Sequence, residues 1–147
     1  MVKTALIIAA GAGSRLQEVT GSIPKPLLHL AGLPLLKRII LTAAKVGIER
    51  FVIVTGHSAE QFHDVLGGDV DLQGLVDWVH NDDWRLPNGM SVLAARSRIA
   101  EPFALLMADH LFEDTTLAKL LSVPVQSDEC VLAIDRKVDE VFDLDDA

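Results

Sequence analysis

Short apolar runs recur along this chain, and stretches with helical patterning separate them. The runs are residues 4–10 (TALIIAA), 51–54 (FVIV), 75–80 (LVDWVH), 103–107 (FALLM) and 130–134 (CVLAI). A strand with one solvated face alternates apolar and polar residues, whereas a continuously apolar run suits a strand covered on both faces. Between the runs, residues 34–47 place Leu36, Ile39, Ile40 and Ala43 at helical spacing, and Gly47 can close that helix. Ser58, with Gln61 three residues later, reads as the capping box of a helix through Leu66. Residues 90–99 read as helical from Asn88 or Ser91, and Asp114 or Thr115 caps a helix through Leu121. Residues 11–33 hold glycines and prolines and read mainly as a long loop. This alternation predicts an α/β fold of three layers, α/β/α, around a mostly parallel sheet. Right-handed crossovers place the loops after the strand C-termini on one edge, where such sheets bind ligands.

Composition narrows the function classes. The 147 residues are half hydrophobic and 23% charged, the balance of a single globular domain. One cysteine, Cys130, excludes a disulfide framework and a thiolate metal cluster, and it reads as a buried strand residue. The five histidines (29, 57, 63, 80 and 110) form no zinc-ligand spacing. A net charge of −8 argues against a nucleic-acid partner, because phosphate contact needs a basic surface. That charge is concentrated, since residues 128–147 hold eight acids and two bases. No apolar run approaches the length of a membrane helix. Lys3 and the apolar residues behind it faintly imitate a signal peptide, but a buried first strand is the better reading, and a cytoplasmic location is expected.

The first run leads directly into Ala10-Gly11-Ala12-Gly13-Ser14-Arg15-Leu16. Glycines beyond the C-end of a first parallel strand let backbone N–H groups turn toward an anion and let it approach closely. The dinucleotide fingerprint fails, because Leu16 stands where a third glycine is needed, and the Walker loop is absent. Arg15 follows Gly13 closely, and Lys25 is bracketed by Pro24 and Pro26. The prolines restrict the backbone around Lys25 and present its ammonium at a fixed place. A guanidinium fork and an ammonium point charge suit a polyphosphate.

The fourth run ends in Met107-Ala108-Asp109-His110. A carboxylate on the glycine-loop edge suits Mg2+, which binds through one or two carboxylates plus substrate phosphates, so Asp109 is the candidate metal ligand. Residues 81–91 (NDDWRLPNGMS) are rich in amide, hydroxyl and glycine groups on the same edge. Such groups can read a base edge by hydrogen bonding, which makes Asn88, Gly89 and Ser91 candidate nucleotide-binding residues; the alternative is an ordinary N-capped loop with Trp84 packing as a lid.

Residues 6–16 (LIIAAGAGSRL), then Pro24-Lys25-Pro26-Leu27, then Gly32-Leu33-Pro34-Leu35-Leu36, resemble the N-terminal signature of the nucleotidyltransferases that join an NTP to a phosphorylated sugar or alcohol. The resemblance implies the Rossmann-like sheet of the nucleotide-diphospho-sugar transferase type. Asn88-Gly89-x-Ser91, residues 107–110 (MADH) and residues 133–137 (AIDRK) near Asp143 are most similar to CTP:inositol-1-phosphate cytidylyltransferases. It implies that CTP is the favoured NTP, that a phosphorylated small molecule such as inositol 1-phosphate accepts CMP, and that Mg2+ is the cofactor. Arg15, Lys25 and Asp109 are then the catalytic set, and Ala10, Gly11, Ala12, Gly13, Ser14, Arg15, Lys25, Asn88, Gly89 and Ser91 hold the nucleotide. Other NTP:sugar-phosphate or molybdopterin-type transferases share the loop, and a nucleotide-binding module without turnover is a further reading. The family's second metal-binding aspartate would fall beyond residue 147, with Asp135 and Asp143 the nearest substitutes. The expectation is a single nucleotidyltransferase domain over 1–147, truncated at its C-terminus, with the acceptor half cut short. The resemblance also admits association with, or fusion to, a membrane CDP-alcohol transferase, and a homodimer.

Overall fold

The structure is a computed structural model that describes residues 2–12, 23–126 and 128–134. The expectations placed on Gly13, Ser14, Arg15, Asp135 and Asp143 lie outside these residues, as does part of the 133–137 segment. The strands are β1 (Thr4–Ala9), β2 (His29–Leu30), β3 (Leu33–Pro34), β4 (Arg50–Thr55), β5 (Val76–His80) and β6 (Phe103–Met107). The α-helices are α1 (Leu35–Lys45), α2 (Ala59–Leu66), α3 (Gly89–Ala94) and α4 (Asp114–Ser122). The main sheet runs β5-β4-β1-β6, with every neighbouring pair parallel. Ile7 pairs with Ile53 on one side and Leu106 on the other.

All six side chains of β1 are buried, which is why the run carries no polar alternation. Ala5, Ile7 and Ala9 face one layer, with Leu36, Ile39, Ile40 and Ala43 of α1, Phe62 and Leu66 of α2 and Leu117 of α4. Leu6 and Ala10 face the other, thinner layer, with Ala95 at the end of α3 and partly buried Val92 and Ile99. This is the expected three-layer arrangement. The stripe on α1 is completely covered, each large side chain contributing about 1.5–3 kcal/mol of burial. Gly47 follows the helix at φ +102°, a left-handed turn that suits glycine at a helix end. Among the described residues, no helix is long and apolar enough to cross a membrane.

Four local expectations are corrected. The loop over 11–33 contains a short 3₁₀ turn at Lys25–Leu27 and the two-residue strands β2 and β3, which pair antiparallel across Ala31 and Gly32. Ala31 and Gly32 both take positive φ, as a tight hairpin turn demands. Ser58 makes no side-chain cap; it sits at φ +55° with its Oγ 3.0 Å from His57 Nδ1. The helix expected over 90–99 ends at Ala94, and a 3₁₀ turn occupies Arg96–Arg98. Residues 130–134 form no strand: Leu132 and Ile134 are 81% and 66% exposed, and Cys130 is exposed rather than buried. A strand forms only where another strand takes up its hydrogen bonds, and none of the described strands pairs with this run.

One buried charge locks the sheet's helical layer. Lys37 on α1 donates to both Asp69 oxygens at 2.9 and 2.7 Å and to Asp71 Oδ2 at 2.7 Å. This pins the segment after α2 onto α1. The hydrogen bonds from Lys37 hold the Asp69 carboxyl below its ordinary 3.8, overcoming partial desolvation. Those to Asp69 and then Asp71 raise the Lys37 ammonium above 10.5. Asp69 therefore stabilises the fold above pH 3.8, and its contribution is lost as pH falls through the depressed value. The contribution of Lys37 is full below pH 10.5 and is lost as pH rises through the raised value. In Asp69→Asn, the thermal midpoint should fall less between about pH 5 and pH 2 than in the parent chain. Parallel acid limbs in calorimetry would reject this assignment.

Candidate active site

From β1 the chain moves outward in one direction through β4 and β5, then returns to the far side of β1 as β6. Where the order of winding reverses, the two loops part and leave a crevice beyond the strand C-termini. Ala10, Gly11 and Ala12 leave β1 at that crevice. Ala108 and Asp109 leave β6 there, and Ala108 N–H donates to Ile8 C=O at 3.1 Å, extending the ladder to the base of the loop.

Lys25 reaches the same place from a segment 84 residues away in sequence. Its Nζ donates to Asp109 Oδ2 at 3.1 Å. The 3₁₀ turn fixes its backbone: Leu27 N–H donates to Pro24 C=O and Leu28 N–H to Lys25 C=O, at 2.9 and 3.1 Å. Leu35 N–H donates to Leu28 C=O at 2.9 Å, fastening the turn to the start of α1. His110 Nε2 lies 3.9 Å from the other Asp109 oxygen. Both members of the Lys25–Asp109 pair keep about a third of their side chains exposed (37% and 34%), so water and ligands reach them.

The other candidates divide. Ala10 is buried, and its carbonyl accepts from His57 N–H at 3.1 Å, so it anchors the loop rather than lining it. Gly11 is exposed, and a Cβ built there would meet nothing within 4 Å. Gly11 therefore faces open space. Asn88 and Gly89 are exposed at the start of α3. Ser91 is buried and accepts from Asn81 Nδ2 at 3.1 Å. Asn81 in turn donates its N–H to Thr55 C=O at 2.8 Å and accepts from Asp83 N–H at 3.0 Å. Ser91 thus belongs to the internal frame of the loop that carries Asn88. Asp109 is a single hard carboxylate, and no cluster of three metal-ligating side chains exists among the described residues.

Two features escape the sequence reading. The first is an aromatic and basic stack behind the glycine loop. The His57 ring meets the Trp84 ring edge-on at 5.0 Å, and the Arg85 guanidinium lies 4.1 Å over Trp84. Trp84 sits against Gly56, where a Cβ would fall 2.4 Å from Trp84 Cβ and 3.0 Å from Ala10 C=O. The stack thus joins the loops after β1, β4 and β5. The signal was present as Gly56-His57 after one strand and Trp84-Arg85 after the next, but only the sheet order brings them together. The second feature is an open cleft of about 470 Å3 beside Lys25 and Asp109.

A family profile described as the MobA-like NTP transferase domain matches residues 5–141. A bifunctional IPC transferase and DIPP synthase from Aquifex aeolicus is 37% identical over 119 residues, covering 81% of this chain and 27% of that protein. A 2-aminoethylphosphonate cytidylyltransferase from Lancefieldella rimae is 31% identical over 150 residues, covering 97% of this chain and 57% of that protein. Among solved structures, the inositol-1-phosphate CTP transferase from T. maritima superposes with a TM-score of 0.73 at 28% identity, covering 85% of this chain and 50% of that one. The chain therefore spans between about a quarter and just over half of the length of these relatives.

The contact of Gly56 with Trp84 makes a direct prediction. Gly56→Ala should cost about 1–3 kcal/mol in urea unfolding, because the added methyl must displace the Trp84 side chain or the Ala10 carbonyl. In a double-mutant cycle with Trp84→Ala, most of that cost should disappear. Additive losses would show that the two residues do not press on one another.

Proposed function

This chain belongs to the MobA-like NTP transferase family, and we propose that it carries the nucleotide-binding and reacting part of a cytidylyltransferase. The reaction is attack by a phosphate or phosphonate oxygen of a small acceptor on the α-phosphorus of CTP. The new P–O bond forms as the bond from the α-phosphorus to the bridging oxygen breaks, and pyrophosphate leaves. An acceptor phosphate is already an anion near neutral pH, so the step needs no strong base. Positioning and neutralisation of charge carry the catalysis.

The observation that supports this reading most is the Lys25–Asp109 pair at the switch point, 3.1 Å apart and accessible. Opposite charges are held there side by side, one suited to phosphate oxygens and one to a cation. Lys25 would span the α-phosphate and the incoming anion. Gly11 and Ala12, with Gly13 and Ser14, would offer backbone donors to the triphosphate, and Arg15 would hold the leaving phosphates. Asn88 and Gly89, exposed on the next loop of the same edge, would contact the nucleoside, with Ser91 keeping that loop in shape. Asp109 would hold Mg2+, since one carboxylate on an open edge fits a cation that takes its remaining ligands from phosphates and water. When bound, the ion would supply further neutralisation of phosphate charge.

CTP is favoured over other nucleotides because the L. rimae relative and the T. maritima structure carry cytidylyl or CTP activities in their names. Inositol 1-phosphate is the acceptor expected from the sequence, and the T. maritima structure supports it; the L. rimae relative points to a phosphonate acceptor.

Pyrophosphate release from CTP, UTP, GTP and ATP, each with inositol 1-phosphate or 2-aminoethylphosphonate, should be fastest with CTP. Lys25→Ala should lower kcat by about 10²–10³-fold while CTP affinity changes far less. Near-normal turnover at saturating CTP would reject the role of Lys25. Asp109→Asn should weaken Mg2+ binding to the CTP-loaded chain in calorimetry corrected for Mg2+ binding to free CTP; unchanged binding would place the ion elsewhere.

A further inference from the structure

Three loops of the ligand edge meet at Trp84. This side chain is partly buried and packs against the core cluster of Leu6, Ala10, Val52 and Val54. It lies so close to Gly56 that the backbone there has no room for a side chain. His57, the next residue, donates its N–H to Ala10 C=O and sets its ring edge-on to Trp84. The Arg85 guanidinium covers part of the same ring. From Trp84 the chain continues into the segment that carries Asn88 and Gly89, and that segment is tied together internally. Asn81 is buried, accepts from Asp83 N–H at 3.0 Å and donates to Ser91 Oγ at 3.1 Å. Leu86 N–H donates to Asp83 C=O and Met90 N–H to Pro87 C=O, each at 2.9 Å. Asn81 N–H on Thr55 C=O fastens one end of this segment. Trp84 rests its body on the loops after β1 and β4.

We propose that Trp84 is a positioning residue, which fixes the distance between the part of the site that takes the pyrophosphate end of CTP and the part that takes the nucleoside. The inference rests on the transfer reading above, in which the glycine loop meets the leaving phosphates and Asn88 and Gly89 meet the nucleoside. The bond that breaks lies between those two halves. A ligand that engages two half-sites at once gains over either half only when their separation matches its own length. Contacts that hold that separation before binding spare the cost of setting it afterwards. They also keep the α-phosphorus in place for Lys25, and a small displacement of a reacting atom is costly. A tryptophan suits this work, because its large ring makes broad contact with little conformational freedom to lose. Trp84 acts through Ala10 and Gly56 on one side and through residues 81–91 on the other.

The test compares CTP with its two halves, CMP and pyrophosphate, by calorimetry on the 147-residue chain. Trp84→Ala should weaken CTP at least about tenfold, while CMP and pyrophosphate each change by less than about twofold. Trp84→Phe should restore most of the CTP affinity, since a second ring refills the contact with His57. The kcat for pyrophosphate release should fall in Trp84→Ala and recover in Trp84→Phe. The chain has two tryptophans, so Trp78→Phe leaves Trp84 as the sole indole emitter. In that background, pyrophosphate alone and CMP alone should each shift the emission. This measurement needs no change at Trp84 and decides the matter even where Trp84→Ala does not fold. Equal weakening of CTP and both halves would make Trp84 part of the scaffold alone and overturn the inference. Unchanged CTP affinity, or an emission that responds to neither half, would overturn it as well. Bound CTP that yields no pyrophosphate with any acceptor would overturn the transfer reading, while the binding comparison still decides the role of Trp84. A chain that binds none of the three overturns both.

Discussion

β1 is held by parallel hydrogen bonds on each side, to β4 and to β6, and all six of its side chains are buried. Every feature of the ligand edge depends on that arrangement. A parallel ladder fixes the ends of neighbouring strands relative to one another, so the point where Gly11 leaves β1 and the point where Asp109 leaves β6 are set by the same register. Ala108 N–H to Ile8 C=O is the last rung of that ladder, one residue before the carboxylate. The candidate site residues Gly11 and Asp109 are thus placed by strands rather than by the flexibility of loops. Lys25 is the exception, and its turn compensates with two flanking prolines and the bond from Leu35 to Leu28.

Two lysine–aspartate contacts in this chain do different work, and burial decides which. Lys37 keeps only 10% of its side chain exposed and faces two carboxylates, and removing one would leave a buried charge poorly matched. That cluster is part of the scaffold. Lys25 and Asp109 are each about a third exposed, and an accessible pair of this kind contributes about 0–1 kcal/mol to stability. Stability does not account for holding two opposite charges at the mouth of a switch-point crevice. Their accessibility leaves both groups open to solvent, as the proposed transfer requires.

β1 and β4 were legible because a doubly covered strand must be apolar throughout, while β5 and β6, partly exposed at the sheet edges, were legible as short runs between helical patterns; four of the five runs became strands. The glycine loop, the Pro24-Lys25-Pro26 bracket and Asp109 were legible because each combines a chemical type with a position after a strand. Residues 130–134 misled because apolar content alone does not supply a pairing partner. Ser58 misled because its backbone turned left-handed, which takes the hydroxyl out of capping position. Ser91 was a candidate nucleotide-binding residue, and its burial and its bond with Asn81 were not legible. In each case the residue type was visible in the sequence, while backbone conformation or the presence of a partner decided its role.

Groups that meet phosphate must be charged or carry free backbone N–H, and such groups stand out in an apolar strand-and-loop pattern. Leucines near such groups do not stand out, and Leu28, Leu30, Leu35 and Leu111 look like core in any linear reading. Leu36 and Leu30 are six residues apart; one is fully buried under the sheet and the other is half in water beside Lys25. The hairpin turn at Ala31 and Gly32 makes that difference, by reversing the chain before α1 begins and leaving Leu30 on the outer strand. A short hairpin thus decides which leucines of an apolar segment enter the core and which stay beside the charged pair.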